Sequence, residues 1–353
     1  MKILFVAPYP QGEAGSQRFR FEQFFELLKE KNIDFVLKSF WSICAWKILY
    51  QKGKSAMKIW GMISGFTRRV GLLFTLRQYD FIFLHREATP VGPAWWEWCA
   101  VKIFGRKIIY DFDDAIWLPN VSEQNRFASQ FKFYSKVKMI CRIAYKVSPG
   151  NEHLCRFSRQ FNNSVILFPT VVDTGYYQPM QKPTAQKLRI GWTGSHSTNQ
   201  YLPILESVLE KLSEEFDYEF IVISNQPPPL KLSNLRFIPW KKESEVGDLN
   251  QFDIGVMPLV DSEWERGKCG FKLIQYLALG IPAVCSPVAV NTEIIHHGEN
   301  GFHASNEAEW YEGIKSLLQD KALRKRFGEN GRKKILDHYS VKTQEEKFIN
   351  LFR

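Results

Sequence analysis

The 353-residue sequence has no uncharged apolar run approaching the ~18 residues that a membrane-spanning helix needs. Cysteine is sparse: six, at 44, 99, 141, 155, 269 and 285, with no pair at metal-ligand spacing. Scattered thiols in apolar surroundings are expected to be reduced, which points to the cytoplasm. No three-glycine dinucleotide fingerprint follows the first apolar stretch, so a nicotinamide cofactor is not expected. Nor is a signal peptide, because Met1-Lys2 leads straight into Ile-Leu-Phe-Val-Ala and Pro8, Pro10 and Gly12 follow. The most telling absence is of acid: no Asp or Glu occurs from Phe35 to Tyr79.

That acid-free stretch holds Lys38, Lys47, Lys52, Lys54, Lys58, Arg68, Arg69 and Arg77, interleaved with Trp41, Trp46, Tyr50, Trp60 and Phe66. A second stretch of the same kind, 126–146, carries Arg126, Lys132, Lys136, Lys138, Arg142 and Lys146 among Phe127, Phe131, Phe133 and Tyr134. Residues 1–150 contain 23 Lys and Arg against 12 Asp and Glu, while residues 151–353 contain 24 against 25. The basic excess belongs to one half, so that half is expected to meet something anionic. Phosphate attraction alone does not separate lipid from nucleic acid. The apolar bulk of Trp46, Met57, Ile59, Trp60, Met62 and Ile63 favours an anionic membrane surface, met through residues 38–77 and 126–146. No nucleic acid partner is expected. A plainer alternative packs these residues as an amphipathic helix on their own domain.

The length suits two domains, and the order of elements reads as two doubly wound α/β units. The first opens with a strand at Lys2–Pro8, a loop containing Gly15, Ser16, Arg18 and Arg20, and a helix from Phe19 to Lys31 with Phe21, Phe24, Phe25 and Leu28 on one stripe. Asp80–Glu87 reads as a buried strand ending in His85 and Glu87, and Gly92–Phe104 as an aromatic helix. Lys107–Trp117 is a strand running into three carboxylates, Asp111, Asp113 and Asp114. Like charges this close raise one another's pKa and suggest a use. A divalent metal is one such use, although no His accompanies them.

Leu188–Gly194 opens the second unit. Gly194 and Ser195 offer backbone N–H groups ahead of a helix from Leu202 to Leu212, with Ser197 or Thr198 as its cap. The most informative stretch runs from Trp264 to Ser286. Gly267 and Gly270 let the backbone approach a ligand. Phe271, Ile274, Leu277 and Ala278 recur at helical spacing, Gly280 stops the helix and Pro282 follows. A helix start opening on a glycine loop suits an anion, and Lys268 and Lys272 stand one turn apart beside it. The same pattern also fits an ordinary loop with solvated lysines.

This stretch, Gly-Lys-Cys-x-x-Lys-x-x-Gln-Tyr-x-Ala-x-Gly-x-Pro, resembles a variant of the signature of retaining GT-B glycosyltransferases of family four. The family's two Glu fall on Gly267 and Gln275, so both acids are replaced. The resemblance extends over nearly the whole chain. It implies a GT-B fold, two Rossmann-like domains facing across a cleft: 1–178 for acceptor and membrane, 186–339 for the nucleotide sugar, and a terminal helix, 340–353, crossing back. It implies a nucleotide-diphosphate sugar as donor, no metal or other cofactor, and a lipid-linked or glycan acceptor at the inner face of a bacterial membrane.

The resemblance also distributes roles. Gly15, Ser16, Arg18, Arg20, Gly194, Ser195, Gly267, Gly270 and Phe271 would surround the donor diphosphate, with Lys268 and Lys272 supplying charge. Trp240 would lie beside the base and Gln275 would hold the ribose. Asp113 and Asp114 occupy the family's His-Asp positions near the reacting sugar, with His85, Glu87 and Asp111 on the sugar or acceptor side. Ser195 and Asn199 stand where the family places Arg and Lys. Loss of the two Glu and the His also fits a catalytically silent sugar-nucleotide-binding subunit of a polysaccharide assembly complex.

Overall fold

The structure is a computed structural model that describes residues 1–49, 51, 53–119, 132–181 and 187–353. The chain divides into two compact units, Met1–Thr170 with Gln344–Arg353, and Val171–Thr343. Residues 171–178 were expected in the first unit but belong to the second. Val172 forms a parallel bridge with Ser340, and Arg332 donates to the carbonyls of Thr174 and Tyr177.

Unit 1 is built on a parallel sheet in the order β2-β1-β3-β4-β5, from β1 (Lys2–Ala7), β2 (Asp34–Ser39), β3 (Phe81–His85), β4 (Lys107–Phe112) and β5 (Lys146–Pro149). β3 is buried along its whole length and β4 beyond its first residue, as near-continuous apolar runs in a covered parallel sheet should be. The order reverses beside β1, so the loops after β1 and β3 flank the point where open α/β sheets receive ligands. The single helix expected from Phe19 to Lys31 is two: α1 (Gly15–Arg20) and α2 (Phe25–Glu30), joined by a 3-10 turn at Glu22–Phe24. Phe21 breaks the helix at φ −141° while its ring stacks on Phe5 at 5.3 Å. Core packing on the sheet overrides the helical period there.

After β2 come α3 (Ile43–Leu49) and the 19-residue α4 (Ser55–Leu73). A Cβ on Gly65 would lie 2.5 Å from the Phe40 ring, so glycine is what lets α4 lie against that cluster. The expected helix at 92–104 is shorter: α5 (Trp95–Trp98), continued by a π turn at Cys99–Ile103. α6 (Lys136–Ile143) and α7 (Glu152–Arg159) follow. The last residues of the chain close the other side: Phe348 stacks on Phe24 at 4.3 Å and Phe352 meets Phe83 at 6.2 Å.

Unit 2 has a six-stranded parallel sheet in the order β11-β10-β9-β6-β7-β8. Its strands are β6 (Leu188–Gly194), β7 (Tyr218–Ser224), β8 (Leu235–Pro239), β9 (Ile254–Met257), β10 (Ala283–Cys285) and β11 (Gly301–His303). The helix expected at Leu202–Leu212 begins as a 3-10 stretch, Asn199–Leu205, containing Pro203, and becomes α8 at Glu206–Glu215. α9 (Glu245–Leu249), α10 (Glu263–Arg266), α11 (Phe271–Ala278), α12 (Asn291–Ile294), α13 (Glu307–Gln319) and α14 (Lys321–His338) complete the unit, and α15 (Val341–Asn350) carries the chain back into unit 1. The strand order reverses between β6 and β9. The loops after those strands are the two glycine-bearing stretches singled out from sequence.

Candidate functional site

In unit 2 several contacts hold the β6 loop against α11. Gly194 lies against Trp192: a Cβ there would fall 2.4 Å from the indole and 2.6 Å from Thr198 Oγ1, so only glycine fits. The Lys272 ammonium stands 5.3 Å from the same indole's centroid, within cation–π range. Tyr276, one turn further along α11, receives a 3.0 Å hydrogen bond from the Thr193 N–H. The second glycine loop is tied to the first through Glu265, which accepts from both the Tyr201 and Ser262 hydroxyls. Lys268 follows Glu265 by one turn, its ammonium 6.0 Å from the Trp264 ring. The structure thus brings Gly194, Lys272 and the start of α11 together at the β6/β9 switch.

α11 begins at Gly270, whose φ of 64° is left-handed and which offers no capping side chain. A Cβ on Gly270 would come within 2.3 Å of Ile294 Cδ1. Both strain and overlap oppose any larger residue. We expect Gly270→Ala to destabilise unit 2 by about 1–3 kcal/mol, read as a lower urea midpoint, whereas an unchanged midpoint would mean that the loop conformation is not demanded. Gly267 is buried and Phe271 half-buried.

Four residues expected at or beside the ligand in this unit are otherwise engaged. Gln275 is buried; its amide donates to the Tyr177 hydroxyl at 3.0 Å and approaches Glu245 Oε1 at 3.4 Å. Glu245 also accepts from Tyr177 at 2.9 Å and from Trp240 Nε1 at 3.2 Å. Gln275 therefore holds a carboxylate in place within the fold, and Trp240, partly exposed, is oriented by that same carboxylate. Asn199 is buried and bonds the carbonyls of Gln226 and Pro227. Ser195, exposed, pairs its hydroxyl with Ser197 at 2.8 Å. Thr198 makes no cap to the following turn but donates to the Ser195 carbonyl.

In unit 1 the three carboxylates have separate fates. Asp111 is fully buried, 2.5 Å from Arg20 Nη2, 2.7 Å from His85 Nδ1 and 3.1 Å from Ser148 Oγ. Burial pushes its carboxyl up, but the Arg20 charge and His85 outweigh that and hold it at about 2. Arg20 is equally buried and donates further to the Ser148 and Phe168 carbonyls. Arg20, His85 and Asp111 thus form an internal brace across α1, β3, β4 and β5; Arg20 is not presented to a diphosphate. Gly15 is exposed, Ser16 half-buried, and Arg18 lies over the Phe19 ring at 4.8 Å.

Asp113 and Asp114 lie beyond the end of β4 and are both gripped by Arg86. Arg86 Nε and Nη2 reach Asp113 Oδ1 at 3.0 and 2.7 Å. Arg86 itself has φ 59°, a strained conformation for a residue other than glycine, and sits inside a three-residue turn closed by the Glu87 N–H to the His85 carbonyl at 2.8 Å. Burial opposes charge on Asp113, but Arg86 keeps its carboxyl below the usual range. Glu87 pairs with buried Lys136 at 2.8 Å. Among the described residues no group of three or more His, Cys, Asp or Glu is placed to hold a metal ion.

Sequence reading missed Arg86, Glu245 and Glu265. The spacing Ser262-x-x-Glu265 is that of a capping box and was a usable signal. It also missed Gln17 and Glu22, which hold the loop after β1: Gln17 bonds the Tyr9 N–H and carbonyl at 2.8 and 3.0 Å, and Glu22 takes the Gly12 N–H at 2.8 Å. Of the residues expected to insert into lipid, Met57, Ile59, Trp60 and Ile63 are exposed, while Met62 packs inward and the Trp46 ring lies tilted against Tyr9 at 4.6 Å. Tyr50, Lys52, Arg126, Phe127 and Phe131 lie outside the described residues.

Residues 187–320 match the family model described as Glycosyl transferases group 1. No curated protein sequence matches the chain. Among solved structures it is similar to a glycosyltransferase from Rickettsia africae, with 14% identity and a TM-score of 0.71 over 99% of this chain and 97% of that one. Sucrose-phosphate synthase from Thermosynechococcus elongatus gives 12% identity and a TM-score of 0.74 over 100% and 98%. HepE from Anabaena, in complex with UDP, gives 15% and 0.67 over 99% of each chain. The chain thus has a GT-B-like fold of two Rossmann-like units, and the match to the group 1 glycosyl transferase model falls in the second of them.

Proposed function

We propose that the protein transfers a sugar, with retention, from a nucleotide-diphosphate donor to a lipid-linked or polysaccharide acceptor at the cytoplasmic face of a membrane. The observation that carries the donor half is the joining of Gly194, the Trp192-seated Lys272 and the start of α11 within the matched domain. Backbone N–H groups, a helix start and an ammonium converge there, which suits a diphosphate and the charge it gains as the sugar departs. In the step itself the bond from the sugar's anomeric carbon to the diphosphate oxygen breaks. An acceptor oxygen bonds that carbon on the same face, and its proton passes to the leaving diphosphate. Asp113 and Asp114, fixed by Arg86, would hold sugar hydroxyls. HepE, of like fold, is known with UDP and with UDP-glucose, which supports a nucleotide sugar as donor.

The acceptor half rests on the basic, acid-poor first unit and on the exposed apolar residues of α4. Surface glycan assembly in bacteria is the setting that such an acceptor implies. A silent binding subunit is the competing reading, favoured by the burial of Gln275 and its commitment to Glu245 and Tyr177. Incubation with nucleotide sugars and extracted membrane lipids should release nucleoside diphosphate at several per second or slower. Tight nucleotide binding without release across a broad acceptor panel would decide for the silent subunit.

A further inference from the structure

On the outer edge of the first sheet, a groove of about 450 Å³ lies between the end of β2, the start of α3 and the last turns of α4. Its polar lining is Lys38, Ser39, Ser42, Arg68, Arg69 and Thr75, and among the described residues no acidic side chain lines it. Arg69 is 1% exposed, a buried guanidinium whose hydrogen bonds go to three backbone carbonyls, of Ala7, Lys38 and Ala88, rather than to a carboxylate. Among the described residues Arg68 likewise bonds Ser64 Oγ and the Phe40 carbonyl. A guanidinium has five N–H donors, so exposed Arg68 retains donors after these bonds, while buried Arg69 contributes its charge. The Ser42 hydroxyl accepts from the Ala45 N–H and keeps its own proton to donate. Buried Glu97 faces Arg69 from within the fold, but no carboxylate lines the groove itself, and cationic and hydroxyl donors gathered in this way match a phosphoryl group.

The face of α4 beside the groove is apolar and open. Trp60 is 70% exposed and Phe74 77%, and Met57, Ile63 and Val70 continue the same stripe at helical spacing. On the opposite face Gly61, Gly65 and Leu72 pack inward. Apolar bulk next to an acid-free cationic groove complements a lipid surface: the stripe reaches into the acyl region while the groove takes a headgroup.

We infer that this groove is a binding site for the phosphate of a membrane lipid, distinct from the donor site of unit 2. The inference rests on the membrane reading above but can fail separately from it. The test floats full-length protein with three vesicle compositions of stated lipid: phosphatidylcholine alone, and phosphatidylcholine with phosphatidylglycerol or with phosphatidic acid at matched surface charge. In parallel, glycerol 3-phosphate is titrated without lipid and followed by NMR of the protein's arginine side chains. Lys38→Gln with Arg68→Gln is the variant of choice, since both residues are exposed and Arg69 braces the sheet.

Wild type should prefer phosphatidic acid to phosphatidylglycerol. The double variant should lose that preference and bind about thirtyfold more weakly, at ~1 kcal/mol per basic residue. Glycerol 3-phosphate should shift the Arg68 and Arg69 signals of wild type and leave the Arg69 signal of the double variant unmoved. If wild type ignores all vesicles yet takes glycerol 3-phosphate in the groove, the membrane reading falls and a soluble phosphate is the occupant. If neither phosphate probe distinguishes wild type from the double variant, the groove is no phosphate site, however tightly the protein binds membranes.

Discussion

Asp111→Asn should cost unit 1 about 3–5 kcal/mol, the usual penalty for removing one partner of a buried ion pair. The substitution keeps the shape of the side chain but leaves the Arg20 guanidinium, itself 0% exposed, facing carbonyls and a neutral amide. Four elements meet at this carboxylate: α1 through Arg20, β3 through His85, β4 itself and β5 through Ser148. Loss of the charge should therefore lower the cooperativity of the whole unit and not merely fray one strand end. The pH dependence gives an independent check. The carboxyl titrates at about 2 in the fold against an ordinary 3.8. A depressed folded value contributes stability that is present above pH ~4 and lost as pH falls towards 2. The full contribution is about 2 kcal/mol. Urea midpoints measured from pH 7 to pH 2 should fall more steeply for wild type than for Asp111→Asn between pH 4 and 2. Parallel curves would show that the pair does not set the acid stability of this unit.

The brace also shows where sequence reading stops. Strands were legible because buried parallel strands are written as apolar runs, and β1, β3, β4, β6 and β9 all announce themselves that way. The helix start at α11 was legible because glycines and lysines mark it locally. Pairings across the fold were not. Asp111, Asp113 and Asp114 look alike in sequence, yet the pleat turns Asp111 inward at the last position of β4 paired with β3, opposite His85, while Asp113 and Asp114 come after the strand has ended. Nothing within ten residues of Asp111 names Arg20 or Ser148 as its partners. Gln275 illustrates the same limit: a residue 98 positions away, Tyr177, receives its amide proton. Even the helical stripe at 19–31 misled, because its phenylalanines do face the core but do so from two short helices around a break. Periodicity reports which side chains go inside; it does not report whether one axis carries them.

Lys272→Ala is expected to lower kcat/KM for the nucleotide sugar by about 10²–10³-fold, the scale of losing one charge-stabilising group from a developing oxyanion. The argument rests on where the ammonium is seated. Trp192 fills the space under Gly194, and Lys272 stands over its ring at 5.3 Å, so the charge is fixed beside the β6 loop and not swept through solvent. Lys268, over Trp264 at 6.0 Å on the other side of the helix start, should matter less, about tenfold, the effect of weakening a single ion contact by ~1.4 kcal/mol. A cation–π contact is worth about 0.5–2 kcal/mol, so unliganded melting temperatures should fall by little for either variant, while the rise produced by nucleoside diphosphate shrinks. Saturating ligand at a hundred times its Kd stabilises a native state by about 2.7 kcal/mol, so the loss is easily read. Lys272→Arg should recover much of the binding, because a guanidinium also stacks on indole and keeps its charge. Full nucleotide affinity and turnover in Lys272→Ala would remove the diphosphate from this loop altogether. A fall in kcat without a change in nucleotide affinity would instead place the ammonium on the transition state alone, where the leaving group's charge is greatest.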